Sequence, residues 1–347
     1  MKSRERTIRS IRFEKPDRVP VLHRIKPGFI RLHAPEIREL REKYPSDILQ
    51  SERTNTWFTF DSAGKLNMEP GKLVRDEWDC VWQTLTSDYL GQVVDSPLKS
   101  LDDSENYRFP DPSFGIEGIR YMADVRKEDG RMHYMMVWIG SIFHQYTYLR
   151  GYENALMDVA EERPGFFALL EKLTEFAIRR IKLLADYDLD GIFLADDWGT
   201  QYNMLIDPKQ WRRIFKSLYE RIVDEIHQVD KLAHYHTCGY TLQILPDLIE
   251  CGFDEINPQV PTMDIRQVAE IFRDRTCIRP DLERQGVLMH GTAEDVRAHV
   301  MNTFETLKSN RGGYVAHIPV EVNLPVGNVE AMMKTYWQCE FNNERQG

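Results

Sequence analysis

Strand-like apolar runs alternate with helical runs through most of the chain, the connections between them are short, and polar residues recur where the strands stop. These observations predict an α/β fold, a TIM (β/α)8 barrel with an extended N-terminal segment. One domain is expected over 1–347, with N-terminal strands and a wrapping segment in 1–120 and the main βα units in 121–347. No GxGxxG loop follows a strand, which speaks against an open dinucleotide-binding sheet.

The elements follow in order. VPVLHR (19–24) reads as an early strand, and DSPLKSLDDSENYRFPDP (95–112) as an extended, turn-rich surface segment. HYMMVWIG (133–140) is a short apolar run. Residues 151–188 carry helical periodicity, with Pro164 opening the long helix. GIFLAD (191–196) is the next strand, and 208–229 a helix that starts with proline after Asp207. KLAHYHTC (231–238) is a strand, 241–252 a helix, FDEINPQ (253–259) a strand, 264–273 a helix and CIRPDL (277–282) a strand. Thr292 caps a helix over 292–310, with Glu294 and Asp295 in its first turn, and GGYVAHIPV (312–320) closes the series. At least seven strands are counted in this way.

Composition narrows the function. The 347 residues are 42% hydrophobic and 29% charged, which is ordinary for a globular protein. A net charge of −10 gives no electrostatic reason to bind nucleic acid or an anionic membrane. No apolar run approaches the ~20 residues of a membrane span, and the N-terminus lacks the apolar core of a signal peptide. The five scattered cysteines read as reduced thiols of a cytoplasmic protein and not as a disulfide framework.

In a TIM barrel the chemistry lies at the C-terminal ends of the strands. The polar residues there are His23, His144, Asp196-Asp197-Trp198, His236-Thr237-Cys238, Asn257, Gln259, Glu283, His317 and Glu321. A single strand-end histidine is more often a hydrogen-bonded structural residue than a ligand. So many polar ends around one mouth carry more weight, because burying them without a role is costly. Residues i and i+2 of a strand share a face, so the imidazole of His236 and the thiolate of Cys238 can converge on one ion. Zinc suits such a mixed nitrogen and sulfur pair. Standing alone, the short motif would read as a buried thiol beside a satisfied histidine rather than as a metal site.

HTCGYTLQILPDLIECGFDEINPQ (236–259) resembles the uroporphyrinogen decarboxylase-like superfamily, in its branch of corrinoid-dependent methyltransferases. DEWDCVW (76–82), LRGYENALMD (149–158), DDWGTQ (196–201) with DPKQWRRIFKSLY (207–219), GTAEDV (291–296) and GGYV…NVEAM (312–332) are similar to that branch's other segments. The resemblance implies a TIM barrel that moves a methyl group to or from a cobalamin carried by a separate corrinoid protein. In the thiol-methylating relatives, zinc is held by a His-x-Cys pair and a second cysteine after the last strand. The pair maps onto His236 and Cys238, but IPV (318–320) holds no cysteine. Glu321 is then the first expectation for the third metal ligand, followed by His317 and Glu255. The arginine-containing substrate motif of the decarboxylase proper is absent; that region reads VLHRIKPGF (21–29).

The expected activity is therefore transfer of a methyl group between a small donor, a methyl ether or similar, and the partner's cobalamin, as in an O-demethylase. Decarboxylation of the uroporphyrinogen type and a non-catalytic barrel are the alternatives. Cobalt is a strong nucleophile, whereas the leaving alkoxide or phenolate is poor, so a metal or an acid must activate it. Asp196, His236 and Glu321 are the expected catalytic residues, and His236, Cys238 and Glu321 the expected ligands of a zinc ion. His23, Trp78, His144, Trp198, Gln201 and Gln259 are expected to contact substrate. Trp57, Phe58, Trp78, Trp82, Trp138 and Trp198 would supply an apolar pocket, or else core packing. The expected partners are the corrinoid protein, the small donor or acceptor and a second copy of the chain in a homodimer, with no nucleic acid and no membrane.

Overall fold

The computed structural model describes residues 1–50, 71–83 and 91–341. Its strands are β1 (Val21–Ile25), β2 (Ile48–Gln50), β3 (Leu73–Arg75), β4 (Val81–Gln83), β5 (Gln92–Asp95), β6 (Tyr134–Gly140), β7 (Gly191–Ala195), β8 (Leu232–Thr237), β9 (Glu255–Pro258), β10 (Cys277–Ile278) and β11 (Ala316–Val320). Six of them form a curled parallel sheet in the order β10-β9-β8-β7-β6-β2, β1 pairs in parallel with β11, and β3-β4-β5 form an antiparallel meander. The two parallel sheets meet at both edges. A parallel bridge joins Ile278 to Tyr314, and the amide of Asp47 donates to Val21 O at 2.8 Å.

Alternation along each strand separates two packing layers. Leu22, Ile48, Tyr134, Met136, Phe193, Cys277 and Val315 pack together on the concave face. Val21, Ile25, Met135, Val137, Ile192 and Leu194 turn outward into the core shared with the helices. The helix Pro164–Leu183 shows how the cover forms. Proline occupies its first turn, where no intrahelical N–H is needed, and Phe166, Leu169, Leu170 and Leu173 recur at helical spacing and are buried. Full burial of each such side chain stabilises by about 1.5–3 kcal/mol.

The N-terminal ends of the strands are held by buried carboxylates. Asp47 accepts from Val21 N, Arg6 and Arg18. Asp190 accepts from Met135 N and Arg4 and pairs with Arg126. A hollow of about 1010 Å³ opens at this end, and its charges are largely paired with one another, as in Arg131–Asp188 and His227–Asp254.

Several elements differ from expectation. The helical run 151–188 is two helices, Tyr152–Glu161 and Pro164–Leu183, because Glu162 takes a left-handed conformation (φ 52°) ahead of the proline. The strand expected over 277–282 is only Cys277–Ile278. Pro280 has no N–H to give to the ladder, although Arg279 N and Asp281 N still reach β9 carbonyls. The three-residue β2 was not anticipated. The N-terminal segment carries helices at Ser3–Ile11, Pro27–Leu32 and Ala34–Lys43, more helix than an extended wrapping segment implies. The turn-rich 95–112 contains a single 3-10 turn, Leu101–Glu105, capped by Ser100.

Candidate metal centre at the strand ends

β7 and β8 run in register, with Ala195 opposite His236. Two residues further on, Asp197 and Cys238 follow on the same concave face, and the amide of Cys238 donates to Asp197 Oδ1 at 3.1 Å. The chain then crosses itself closely. Gly199 N donates to Cys238 O, Tyr240 N donates to Thr200 O, and Gly239 has φ +78°. A Cβ on Gly239 would overlap the backbone of Gly199, and one on Gly199 would overlap that of Tyr240. Only a glycine pair lets the two loops press together so that Asp197 meets Cys238.

One ligand atom from each of Asp197, His236 and Cys238 lies within 4.8 Å of the others. His236 Nδ1 is 2.9 Å from Asn257 O, a partner that can only accept, so Nδ1 carries the proton and Nε2 presents its lone pair. Nε2 is 3.1 Å from Cys238 Sγ and 4.0 Å from Asp197 Oδ1. Burial, and then the charges of Asp197 and Asp281, push the Cys238 thiol well up, so without a cation it stays protonated and donates to His236. Burial lowers the pKa of His236. Burial would raise Asp197, but His144 and His236 hold it below the usual carboxylate range. A neutral imidazole, a carboxylate and a thiol lacking only a positive charge make a donor set that fits zinc or a similar divalent ion.

The expected residues distribute as follows. His144 is brought in: its Nε2 lies 3.6 Å from Asp197 Oδ2, and its ring stacks on Tyr148. Gln259 accepts from Gly239 N at 2.7 Å and so steadies the loop after Cys238. Asp196 faces away from the cluster. It is fully buried and accepts from Tyr219 Oη, His144 N and Ile142 N, anchoring the turn that carries His144. Its neighbour Asp197 takes the place expected for it.

Glu321 lies outside the ligand cluster and pairs with Arg284 at 3.2 Å. Glu255 is held one layer deeper by His234 (2.6 Å) and Arg279 (2.8 Å). His317 gives its Nδ1 proton to Asp281 at 2.8 Å. His23 turns toward the helices and Arg41, and the concave position of β1 falls to Arg24. Trp78 is buried among Phe109, Phe114 and Phe176. Trp198 stacks on Phe143 and donates to Tyr235 Oη, so both tryptophans are core residues. Trp82 is likewise buried and donates to Asp76, and Trp138 packs at the edge of the concave cluster. Gln201 is exposed on its loop. Trp57 and Phe58 lie outside the described residues.

Asp197, Arg24, Asp281 and Arg284 were passed over in favour of their neighbours. The signal for the first three was the period of two: continued through Phe193 and Ala195 it reaches Asp197, through Leu22 it reaches Arg24, and through Cys277 it reaches Asp281.

An α/β fold with a parallel sheet and a polar cluster at its C-terminal ends defines an enzyme-like class. The sequence profile of uroporphyrinogen decarboxylase (URO-D) matches residues 87–338, and the chain belongs to that family. Uroporphyrinogen decarboxylases of Bacillus cereus (strain B4264) and Bacillus mycoides (strain KBAB4) are each 23% identical over 246 residues, 68% of this chain and 69% of theirs. The fold is also that of a methyltransferase from Methanosarcina mazei, with a TM-score of 0.73 and 15% identity over 97% of this chain and 98% of that one.

Proposed function

We propose that the chain is a methyltransferase that moves a methyl group between a small donor, a methyl ether or similar, and the cobalamin of a separate corrinoid protein. The observation that carries this is the Asp197–His236–Cys238 cluster, a nitrogen, oxygen and sulfur donor set at the strand ends of a fold shared along its whole length with a methyltransferase. In the same proposal the two parallel sheets close as one eight-stranded barrel, as the bridges at both edges suggest. A zinc ion bound there would supply Lewis acidity to the donor's heteroatom, and a carboxylate in place of a second thiolate makes it harder and suits oxygen.

The chain's own residues prepare the site. The Asn257 carbonyl fixes the His236 tautomer, and the Cys238 amide orients Asp197 Oδ1. His144 faces the other carboxylate oxygen, and Asp196 holds His144 in place. Cobalamin is too large to enter a filled sheet interior, so it must arrive on a partner that docks over the strand ends.

The test combines metal analysis with methyl transfer. Wild type should take up one zinc per chain and transfer methyl groups only when the corrinoid protein is added. Cys238→Ala and Asp197→Ala should lose the metal and roughly a hundredfold or more in rate, in line with removal of a liganding group, whereas Glu321→Ala should keep the metal. Full activity of a metal-free wild type, or of Cys238→Ala, overturns the proposal. Turnover of a tetrapyrrole acid without corrinoid would favour the decarboxylation named for the Bacillus relatives.

A further inference from the structure

The concave face is apolar on one side and polar on the other. On β6 it carries Tyr134, Met136 and Trp138, and on β7 Phe193 and Ala195, whereas β8 presents His234 and His236 and β9 presents Glu255 and Asn257. The Asp197–His236–Cys238 cluster stands on the border between the two, at the ends of β7 and β8.

Trp138 is the last large side chain on the apolar side. It packs against the cluster of Tyr134, Met136 and Phe193 but is only half-buried. Small residues follow it toward the strand ends. Two positions on along β6 is Gly140 (φ 104°), and the pairing with β7 shifts register between Trp138 and Gly140, an irregularity of the kind that re-aims a side chain beside a site. On β7, Trp138 pairs with Phe193, and the next residue on that face is Ala195, which lies opposite His236. Beyond Trp138 and Phe193 the concave positions of these two strands are thus held by glycine and alanine, which leaves room beside His236. Neighbouring strands lie about 4.8 Å apart, so β6 and β8 are separated by roughly 10 Å, a span that one aromatic ring and its methoxy group fill. Of the tryptophans expected to build a donor pocket, Trp78, Trp82 and Trp198 are buried in the core, so among the described residues Trp138 is the one placed on this face.

We propose that Trp138 is the specificity-determining wall of the site and takes an aromatic ring of the small substrate, so that the methyl donor is an aryl methyl ether. The assignment rests on the methyl-transfer function above. The ring lies against the indole on the β6 side, offset-stacked or edge-to-face, and its methoxy oxygen is left at Asp197, His236 and Cys238, so that the wall orients as well as binds.

The test is calorimetric binding to the zinc-supplemented full chain without corrinoid protein, so that it does not depend on turnover. The probes are 3-methoxybenzyl alcohol and its ring-saturated counterpart, (3-methoxycyclohexyl)methanol, both neutral. Wild type should bind the aryl ether about fivefold more tightly, the scale of one aromatic pair. Trp138→Leu, which keeps an apolar wall without a π-face, should erase that preference. Trp138→Phe should keep part of it, and it carries the test if the leucine variant does not fold. In turnover with the corrinoid protein the loss should appear in KM rather than kcat, as for uniform binding. Equal binding of the two ethers by wild type, an undiminished preference in either variant, or no binding of the aryl ether overturns the assignment. Methyl transfer from the saturated ether as fast as from the aryl ether overturns it too, while leaving methyl transfer itself standing. A Trp138-dependent ring preference in a chain that transfers no methyl group would uphold the wall and overturn only the methyl-transfer reading.

Discussion

Cys238 shows how a residue's chemistry is set by its neighbours. Its thiol is half-buried, its amide is spent on Asp197, and its sulfur meets a nitrogen whose ring proton is committed elsewhere. His23 is the opposite case. The residue is part-exposed, but both ring nitrogens are covered and have no hydrogen-bond partner among the described residues. Burial, and then Arg41, push its pKa down to about 4. The unfolded imidazole, at about 6.5, binds the proton first, so stability is lost as pH falls from about 7 toward 4. The cost reaches about 2 kcal/mol at pH 5. His23→Leu should therefore be at least as stable as wild type at pH 8 and gain further by pH 5 in urea titrations. An identical difference at both pH values would show that the histidine does not titrate in this way. His23 also shows what the sequence hid. Reading strand ends for titratable residues favours His23 and Asp196, but side-chain parity decides which residue looks inward, and the same-face rule that paired His236 with Cys238 selects Arg24 and Asp197 as well.

At the scale of elements, the decisive join is between the loops after β7 and β8. Both loops contain a glycine because each passes through the volume that the other's Cβ would fill. Gly239→Ala adds left-handed strain of about 1–2 kcal/mol and also a clash with Gly199, which must push Cys238 away from Asp197. Gly130 separates the two effects. It has φ +58° at the end of the helix Ile116–Asp129, with open space around its Cβ position. Gly130→Ala should cost only the strain, with zinc affinity unchanged, whereas Gly239→Ala should weaken zinc binding about tenfold or more, the scale of a lost orienting contact. Equal zinc affinity in both would mean that the glycine contact does not set the cluster. Contacts of this kind cannot be read from spacing, because they depend on how far each strand runs before its loop turns. Strands β6 to β9 and the long helices were legible from their periodicity. β2 was not, since three residues carry no period, and β10 was overextended because Pro280 hides inside an apolar run.

Over the whole molecule, buried charge is used differently at the two ends of the parallel strands. At the N-terminal end, Asp190 is 2% exposed on its side chain and fully engaged by Arg4, Arg126 and the amide of Met135. Removing its charge would strand the equally buried guanidinium of Arg126, and breaking such a pair costs about 3–5 kcal/mol. At the C-terminal end, Asp197 is 41% exposed on its side chain, and its neighbours are two histidines and a thiol rather than a paired cation. Burial, and then the charges of Asp197 and Asp281, keep the Cys238 thiol protonated in the metal-free protein, and a bound cation would reverse that. The two ends should therefore respond differently to the same change. Asp190→Asn should lower the urea midpoint strongly and leave zinc stoichiometry intact in the fraction that remains folded. Asp197→Asn should lower metal-free stability only slightly, since its half-exposed carboxylate is favoured by His144 and His236, while abolishing the stabilisation that added zinc confers on wild type. Measuring both variants with and without zinc checks the division directly. If Asp197→Asn destabilises the metal-free chain as much as Asp190→Asn does, then Asp197 is a structural carboxylate, and the strand-end cluster holds the fold together in place of a metal.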